Sequence, residues 1–415
     1  MTNSGKRIIV VGGGASGLLA AGRAAQRGAD VVLLEKMPAC GRKLRISGKG
    51  RCNLTNISPV QAFLSHFGPN ARFLKPAFGA FFSEKLIDLL DSLGVATVTE
   101  RGGRVFPASQ DARDVVAALT HFAEKNGVRI VTRHPVRSLV VQDNRAGGVV
   151  CRDGSEWPAD AVILAAGGSS YPATGSIGDG IRLAKAAGHA FVPVRPALVP
   201  LITDGDQAQR LQGISLRNVN ASLWCDGRKA GQAFGEMLFT HFGLSGPIIL
   251  TLSRRAVDLL DGGKTPEIAV DFKPALDEKK FDARLLREFE AHGKQHLKST
   301  LKSLLPQRVV PVCLDAVRID PDKPGNQITA DERKRLRLWL KGFRLRITGH
   351  RGWQEAIITA GGVALDEIHS RTLESVIVKG LYFAGEVMDV DADTGGYNLQ
   401  AAFSTGWLAG QSAAG

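Results

Sequence analysis

The segment from Ile8 to Glu35 constrains the fold of this chain more than any other. The apolar run Ile8–Val11 is typical of a buried parallel strand and leads directly into Gly12, Gly14 and Gly17, spaced as G-x-G-x-x-G. The first glycine permits a tight turn, the second lets a pyrophosphate approach the backbone, and the third lets the next helix pack on the strand. The positive N-terminal end of that helix suits a phosphate. The segment therefore predicts a dinucleotide-binding α/β unit.

A second strand that ends in an acidic residue completes this unit. Val31–Leu34 is apolar and precedes Glu35, whose carboxylate can bind a ribose hydroxyl pair. A chance glycine turn is the alternative interpretation, but the glycines, the small-residue helix and the second strand together argue against it. We expect the neighbouring Ala15, Ser16 and Lys36 to join the same cofactor-binding surface.

The composition is that of an ordinary soluble protein. The chain has 415 residues, 44% of them hydrophobic and 22% charged, which is enough for about two or three domains. It has neither an apolar stretch of membrane-spanning length nor the apolar core of a signal peptide. These features predict a cytoplasmic protein that is not bound to a membrane.

The cysteines and other metal-binding residue types show no ligand pattern. The five cysteines are scattered without a C-x-x-C pair, which argues against a redox-active disulfide and against a zinc ribbon. Cys52 is interpreted as a packing residue rather than a catalyst. Because no cluster of histidine and acidic residues has metal-ligand spacing either, no metal site is predicted.

The chain is basic, with a net charge of +13 and a pI of about 9.7, which is compatible with an anionic substrate or a nucleic acid. The densest basic stretch, 333–351, contains no acidic residue. Its first half predicts a helix, and in its second half apolar residues alternate with Arg344 and Arg346, which predicts a half-exposed strand. Without interleaved aromatic residues for base stacking, a basic solvent-exposed face is favoured over a polyanion site.

Predicted strands and helices alternate on both sides of a central region in which the sequence pattern differs. Pro193, Pro196 and Pro200 indicate a domain crossing. Short strands and a helical block of about 279–340 follow, and the glycine-rich pattern resumes at Gly349. The chain is therefore predicted to have one nucleotide-binding domain, 1–193 and 348–415, and an inserted domain, 194–347. The clearest predicted elements in the first domain are a polar loop over 41–56, helices Ser83–Leu93, Ala112–Lys125 and Asp179–Gly188, and strands Val128–Thr132 and Ala161–Ala166.

A second nucleotide-binding signal lies near the C-terminus. The strand Gly380–Glu386 ends in Ala-Gly-Glu, and Gly395-Gly396-Tyr397 opens a C-terminal helix. Since only one G-x-G-x-x-G unit is present, one dinucleotide with a second contact for its far end fits best, and we predict non-covalently bound FAD. The helix start would face the flavin and stabilise its reduced, negative form. A simple helix-capping turn is the alternative.

Several longer strings carry a resemblance to a known family. The chain resembles, nearly end to end, a family of bacterial FAD-dependent oxidoreductases that includes aminoacetone oxidase and a bile-acid 3-dehydro-Δ4,6 reductase. The matching strings are Gly41–Lys43, Ser47–Asn56, Gly103–Pro107, Ser170–Gly175, Phe239–Pro247, Thr359–Val363, Gly385–Asp389 and Gly395–Gln400. The resemblance implies a glutathione-reductase or fumarate-reductase type of FAD-binding Rossmann-like α/β fold, split in sequence by an inserted β-barrel-like and helical domain.

The resemblance also implies where the cofactor contacts lie. Arg42 and Lys43 would lie near the phosphates or the adenosine ribose, the backbone of Val136 would face adenine, and Glu386 would lie near the ribityl chain. One departure is visible, because Ala166 stands where the family usually has threonine. The remaining expected contacts are Ser47, Gly48, Asn53, Ala166, Gly167, Gly385, Gly396, Tyr397, Asn398 and Leu399.

Flavin chemistry needs a positioned substrate and a titratable proton donor. His241 and Tyr171 are the candidates for proton transfer, with a structural histidine as an equally good interpretation of the first. Arg51 and Arg104 suit a substrate carboxylate or carbonyl, although ordinary ion pairs are favoured. Lys49 is interpreted as solvated.

The sequence therefore predicts an FAD-dependent oxidoreductase that transfers hydride between flavin and a small organic substrate. NAD(P)H, bound transiently, or O2 would be the second redox partner. A nucleic-acid-binding flavoprotein similar to tRNA-modifying enzymes is the first alternative, although the sequence favours a small molecule over nucleic acid. A non-catalytic flavin-binding regulator is the second.

Overall fold

The computed structural model describes residues 5–415. The strands are β1 Arg7–Val11, β2 Asp30–Glu35, β3 Thr55–Asn56, β4 Thr97–Thr99, β5 Arg104–Pro107, β6 Arg129–Thr132, β7 Val136–Gln142, β8 Arg145–Cys151, β9 Glu156–Pro158, β10 Ala161–Leu164, β11 Phe191–Ala197, β12 Leu201–Thr203, β13 Ser215–Cys225, β14 Arg228–Thr240, β15 Gly243–Ser245, β16 Glu267–Asp271, β17 Phe343–His350, β18 Ile358–Val363 and β19 Leu381–Phe383. The α-helices are α1 Ala15–Gln26, α2 Arg42–Ile46, α3 Val60–Leu64, α4 Lys75–Ala80, α5 Ser83–Ser92, α6 Ala112–Lys125, α7 Asp179–Ala186, α8 Gln207–Arg210, α9 Pro247–Asp261, α10 Glu278–Ala291, α11 Leu297–Thr300, α12 Val309–Val317, α13 Ala330–Lys341 and α14 Tyr397–Ala414.

The chain forms two compact units. Unit 1 comprises Met1–Pro196 and Ala356–Gly415, and unit 2 comprises Ala197–Glu355. The predicted divisions, 193/194 and 347/348, lie a few residues N-terminal to these. None of the helices over residues 5–415 combines the length and the hydrophobicity that a membrane span requires.

A five-stranded parallel sheet organises unit 1. Its strand order is β19-β10-β1-β2-β6, and Val10 of the central strand pairs with Ile163 on one side and Leu33 on the other. Strands that are covered on both faces read as continuous apolar runs, and the four residues Ile8–Val11 are buried accordingly. Because all these strands are parallel, their carboxyl ends lie at one edge of the sheet. The predicted α/β Rossmann-like architecture is confirmed.

The segment 41–56 differs from the predicted loop. It forms the short helix α2, a 3-10 turn over Ser47–Gly50, and the strand β3. The prediction was wrong because it weighed the glycines and charges and overlooked three apolar anchors. Leu44, Cys52 and Leu54 are buried in the core of unit 1, which holds the backbone between them in a fixed path.

The first and last long helices of the chain pack backbone to backbone. A Cβ added to Gly406 of α14 would lie 2.2 Å from the carbonyl oxygen of Ser16, and one added to Gly410 would lie 2.2 Å from that of Ala20. The contacts advance in the same direction along both helices, so α1 and α14 run parallel. Gly406 lies opposite Ser16, the second residue of α1, and follows the start of α14 by nine residues, so α14 extends about 12 Å beyond the start of α1.

Unit 2 combines a closed barrel with a helical part. The barrel has the strand order β12-β15-β14-β13-β16-β17, and alternate residues of β17 are buried while Arg344 and Arg346 are exposed. The helices α10, α12 and α13 contribute apolar side chains such as Phe281 and Leu336 to the core of the unit. The barrel-like and helical insertion, the helix in the first half of 333–351 and the half-exposed strand in its second half are thereby confirmed.

Replacing Gly410 with alanine is expected to lower the free energy of unfolding by about 1–3 kcal/mol, because the added methyl group forces the α1 and α14 backbones apart. Gly79→Ala on the exposed face of α4 is the matched control, since nothing lies within 4 Å of its added Cβ and alanine favours a helix. Urea unfolding of both variants measures the difference. Equal midpoints for the two variants would contradict the proposed backbone contact.

Candidate functional site

The three glycines after β1 meet three different surroundings. Gly12 has a φ of 104°, and an added Cβ would lie 2.7 Å from the Ala165 carbonyl oxygen. A Cβ added to Gly17 would lie 1.8 Å from the Gly12 carbonyl oxygen, whereas no atom of the described residues lies within 4 Å of one added to Gly14. The fold therefore requires Gly12 and Gly17, but Gly14 borders open space.

The open space beside Gly14 lies at a helix N-terminus, where backbone amide donors lack partners within the helix. Gly14 is the N-cap of α1, and no side chain caps the helix, so the first amides, among them those of Ala15 and Ser16, have no partner within the helix. An anion is the ligand that such a helix start accepts. The turn fits a pyrophosphate, as the sequence predicts.

Glu35 is held rigidly beside this turn. Its carboxylate accepts one hydrogen bond from the Gly13 amide, at 2.7 Å, and another from the Met37 amide, also at 2.7 Å. Each carboxylate oxygen retains a further acceptor direction. Glu35 is thus fixed at the carboxyl end of β2 with capacity for a ribose hydroxyl, and that contact stays a prediction.

The basic residues predicted to contact the cofactor have protein partners as well. The Lys36 ammonium group pairs with Asp179 at the start of α7. Arg42 donates through Nη2 to the Ala173 carbonyl oxygen at 3.3 Å, while its buried Nε has no hydrogen-bond partner among residues 5–415. Since an unpaired buried donor costs free energy, the Arg42 Nε is the position in this group that best fits an external acceptor.

A network centred on Glu386 joins four segments that are distant in sequence. Its Oε2 accepts from Lys43 Nζ at 2.7 Å, and its Oε1 accepts from the Ser170 hydroxyl at 2.8 Å and the Thr359 amide at 2.7 Å. Lys43 also donates to Ser170. The carboxylate is 13% exposed, so these donors satisfy most of its capacity. Lys43 and Glu386, predicted to contact phosphate or sugar, bind each other here. The sequence strings containing Ser170 and Thr359 were the only signal for their participation.

The segment 47–53 is held in a tight left-handed path. The Ser47 hydroxyl donates to the Leu44 carbonyl oxygen at 2.7 Å, and Gly48 and Cys52 both have φ near 60°. The buried Oδ1 of Asn53 has no hydrogen-bond partner in the part of the chain that the structure describes. Burial raises the pKa of the Cys52 thiol to about 12, so the thiol is protonated at neutral pH, in keeping with a packing residue.

The α14 N-terminus is shaped by its own loop. Gly396 has a φ of 97°, and an added Cβ would lie 2.4 Å from the Thr55 carbonyl oxygen. The Asn398 side chain accepts from the Ala392 amide and donates to the Ala392 carbonyl oxygen, at 2.8 and 2.9 Å. Its amide group therefore holds the preceding loop, which leaves the uncapped backbone of the helix start as the surface for a cofactor.

An aromatic and acidic cluster at this helix start was not predicted from the sequence. The His66 ring stacks on Tyr397 with centroids 3.9 Å apart, and His66 Nδ1 lies 2.9 Å from Asp393 Oδ2. Burial, followed by the charge of Asp393, raises the pKa of Tyr397. No motif marks His66, because it meets Tyr397 only through the packing of Phe63 and its neighbours around that ring.

The remaining predicted cofactor contacts border the parallel sheet. Val136 is buried at the start of β7, and Ala166 and Gly167 follow β10 beside the glycine turn. The Gly385 amide donates to the Thr405 hydroxyl at 3.0 Å. Leu399 packs against the core of unit 1. These positions are compatible with the predicted site, and their contacts stay predictions.

The two candidate proton donors belong to different units. Tyr171, with a φ of 53°, precedes a 3-10 turn over Pro172–Thr174 in unit 1, and His241 is an exposed residue between β14 and β15 of unit 2. Their catalytic roles stay predictions. Arg51 and Arg104 both pair with Glu100, which confirms their interpretation as ion pairs. Lys49 is exposed.

Comparison with known proteins adds a family and several relatives. The model of the family described as "HI0933-like protein Rossmann domain" matches residues 6–412. The chain is 34% identical to a 3-dehydro-bile acid delta(4,6)-reductase of Clostridium scindens, covering 98% of this chain and 99% of the relative. It is 33% identical to a ribosomal RNA dihydrouridine synthase of Escherichia coli, covering 97% and 96%.

Solved structures show the same fold. The 3-ketosteroid-delta4-(5alpha)-dehydrogenase of Rhodococcus jostii covers all of this chain and 98% of its own, with a TM-score of 0.54 at 17% identity. A flavocytochrome c3 fumarate reductase in its open conformation matches with a TM-score of 0.50 at 18% identity, covering 99% of this chain and 78% of its own. At this identity the likeness concerns the fold alone.

Replacing Gly14 with alanine is expected to weaken FAD binding while it changes the stability of the apoprotein little. The change adds a methyl group to open space, so the free energy of unfolding of the apoprotein should fall by about 1 kcal/mol or less, the cost of losing glycine at an N-cap. FAD affinity should fall at least about tenfold, or about 1.4 kcal/mol, because the methyl group lies where the pyrophosphate approaches.

Gly17→Ala is the contrasting variant, since its methyl group meets the Gly12 carbonyl oxygen and should destabilise the apoprotein itself by about 3 kcal/mol. Urea unfolding and titration of FAD fluorescence measure the two effects. Unchanged FAD affinity in Gly14→Ala would show that the pyrophosphate does not approach this turn.

Proposed function

The chain belongs to the HI0933-like family and is an FAD-dependent oxidoreductase, and we propose that it reduces a carbon–carbon double bond conjugated with a carbonyl group. The observation that carries this proposal is the reaction shared by its relatives. Reduction of a 3-dehydro-bile acid at its delta(4,6) bonds and formation of dihydrouridine both add two hydrogens to an alkene that is conjugated with a carbonyl.

This reaction requires a hydride and a proton. Bound FAD would supply the hydride, which adds to the alkene carbon farther from the carbonyl, while a proton adds to the nearer carbon. The chain has to hold the cofactor by the glycine turn and the α14 start, and to provide the proton. We propose Tyr171 and His241 as the first groups to test as proton donors, since each carries a titratable proton.

For the substrate, we propose a uracil base within RNA. Two relatives, from Escherichia coli and from Haemophilus influenzae, at 33% and 30% identity, are named for a reaction on ribosomal RNA. The net charge of +13 is compatible with a polyanionic partner. The sequence by itself favours a small molecule, and these two relatives reverse that order.

A bile-acid-like substrate is the second candidate. The relative named for it is 34% identical and matches 98% of this chain. The carboxylate of such a substrate is anionic too, so a basic surface is compatible with it. For either substrate we propose NAD(P)H as the source of electrons, with O2 as an electron acceptor if the enzyme is an oxidase.

The holoprotein, reduced without air by NADPH or NADH, is expected to be reoxidised by unmodified ribosomal RNA transcripts at least about tenfold faster than by buffer, a difference of about 1.4 kcal/mol in the barrier. Nucleosides from that RNA should show a uridine heavier by two hydrogens. Flavin absorbance and nucleoside mass spectrometry measure the two results. Gly14→Ala protein freed of flavin is the control.

The other outcomes assign the function differently. Reoxidation by a bile acid carrying the conjugated dienone, with no effect of RNA, would support the second candidate and reject the first. Reoxidation by air with peroxide release and no reduced organic product would indicate an oxidase. A flavin that stays reduced with both acceptors would overturn the proposed reaction.

A further inference from the structure

Most basic residues of the densest basic stretch, 333–351, are held in ion pairs, and over residues 5–415 only the exposed Lys334 and Arg335 of this stretch have no ion-pair partner. Arg333 and Arg337 both pair with Asp282, and Lys341 pairs with Asp271. The basic residues of β17 pair in the same way with acidic residues of neighbouring elements, Arg344 with Glu267 and Arg346 with Asp204. Charges neutralised in this way are weak attractors for a polyanion. A polyanion site therefore has to be sought elsewhere.

A groove on unit 1 carries cations of a different kind. It has a volume of about 770 Å³ and lies between the segment 72–76 and the loop 365–371, with Val376 at its side. Arg72, Lys75 and Arg371 line it and are exposed. Over residues 5–415 none of these three side chains has an ion-pair partner. Asp366 is the one acidic residue in the lining, so the groove is net positive.

Both walls of the groove are held by fixed hydrogen bonds. Arg371 lies in a turn that closes where the Leu373 amide donates to the His369 carbonyl oxygen at 2.7 Å, with Leu373 buried. On the other wall, the Asn70 side chain donates to the Asp389 carbonyl oxygen at 2.8 Å, just before Arg72. Cations on a fixed backbone lose less conformational entropy on binding than cations on a mobile loop.

The floor of the groove is apolar. Phe73, Pro76, Leu365 and Ile368 line it, and Val376 is 51% exposed beside them. Cations around an apolar floor suit a ligand that combines negative charges with flat, weakly polar faces. Single-stranded nucleic acid is such a ligand, because its phosphates bind cations while its bases pack on aromatic and apolar side chains.

The groove is continuous with the candidate cofactor site along the chain. The segment 63–76 begins with Phe63 and His66, which contact Tyr397 at the α14 start, and ends with the groove residues. A ligand in the groove thus lies on the segment that packs around that helix start.

We propose that this groove binds the sugar–phosphate backbone of a looped or single-stranded segment of the RNA substrate. The proposal rests on the RNA substrate proposed above and assigns part of its binding surface. No sequence pattern indicates this surface, since Arg72, Lys75 and Arg371 belong to no basic run and only the fold brings them together.

The test compares two sets of alanine substitutions in the holoprotein. The groove variant carries Arg72→Ala, Lys75→Ala and Arg371→Ala, and the matched control carries Lys279→Ala, Lys294→Ala and Lys302→Ala. The control lysines are exposed, have no ion-pair partner over the described residues, and lie in the helical part of unit 2. Both variants lose three positive charges from the surface, so net charge is matched.

The dissociation constant of a fluorescent ribosomal RNA loop fragment is the readout, measured by anisotropy over a range of salt concentrations. For the groove variant we expect at least about tenfold weaker binding and a slope of log K against log salt that is smaller by about two, the value for three phosphate contacts on a single strand. For the control we expect less than about a twofold change. Equal urea unfolding midpoints establish that both variants are folded.

Four results would overturn the proposal. Equal losses in the two variants would mean that net charge alone drives binding. A groove variant that binds and reduces RNA as the unaltered protein does would leave the proposed function intact and reject the groove. A groove variant that loses binding to anionic phospholipid vesicles but keeps RNA binding would assign the surface to a membrane. If the unaltered protein neither binds nor reduces RNA, the proposed RNA substrate is rejected. The groove proposal is then rejected too, because it rests on that substrate.

Discussion

The contact between α1 and α14 is the constraint on which the rest of unit 1 depends. Two helices at opposite ends of the chain approach until the carbonyl oxygens of Ser16 and Ala20 touch the glycines of the other helix. This contact fixes the glycine turn at the N-terminus of α1 relative to the start of α14. The two helix starts are displaced along a common direction, and an extended dinucleotide is the kind of ligand that spans such a displacement.

The Glu386 network links other segments of unit 1. Burying a carboxylate and an ammonium group costs desolvation free energy, which only well-formed hydrogen bonds offset. Glu386 has such bonds from Lys43, Ser170 and Thr359, each on a different segment. We infer that the network positions α2, the turn after β10, β18 and the turn after β19 relative to one another, because each of these four segments contributes one of its members.

The features that were predictable from sequence are those with a local cause. The glycine turn, the apolar strands and α6, whose bounds match the prediction, each follow from a short pattern. The features that were missed depend on distant partners. Lys43 meets Glu386 across most of the chain, and His66 meets Tyr397 through packed aromatic rings. The segment 41–56 was misjudged because three buried apolar residues outweigh its many polar ones.

The distribution of charge is the clearest example of a property that depends on partners distant in sequence. The net charge of +13 is a property of the composition, but the local potential depends on which cations have partners. Acidic residues of α10, β16 and the segment after β12 pair with most arginines of the stretch that is richest in arginine. Three other basic residues converge on unit 1, and none of them has an ion-pair partner over residues 5–415. Because the attraction between exposed charges is screened within about 8–10 Å in physiological salt, a polyanion responds to the unpaired cluster rather than to the total. The electrostatic case for an RNA substrate therefore rests on the placement of the cations and not on their number.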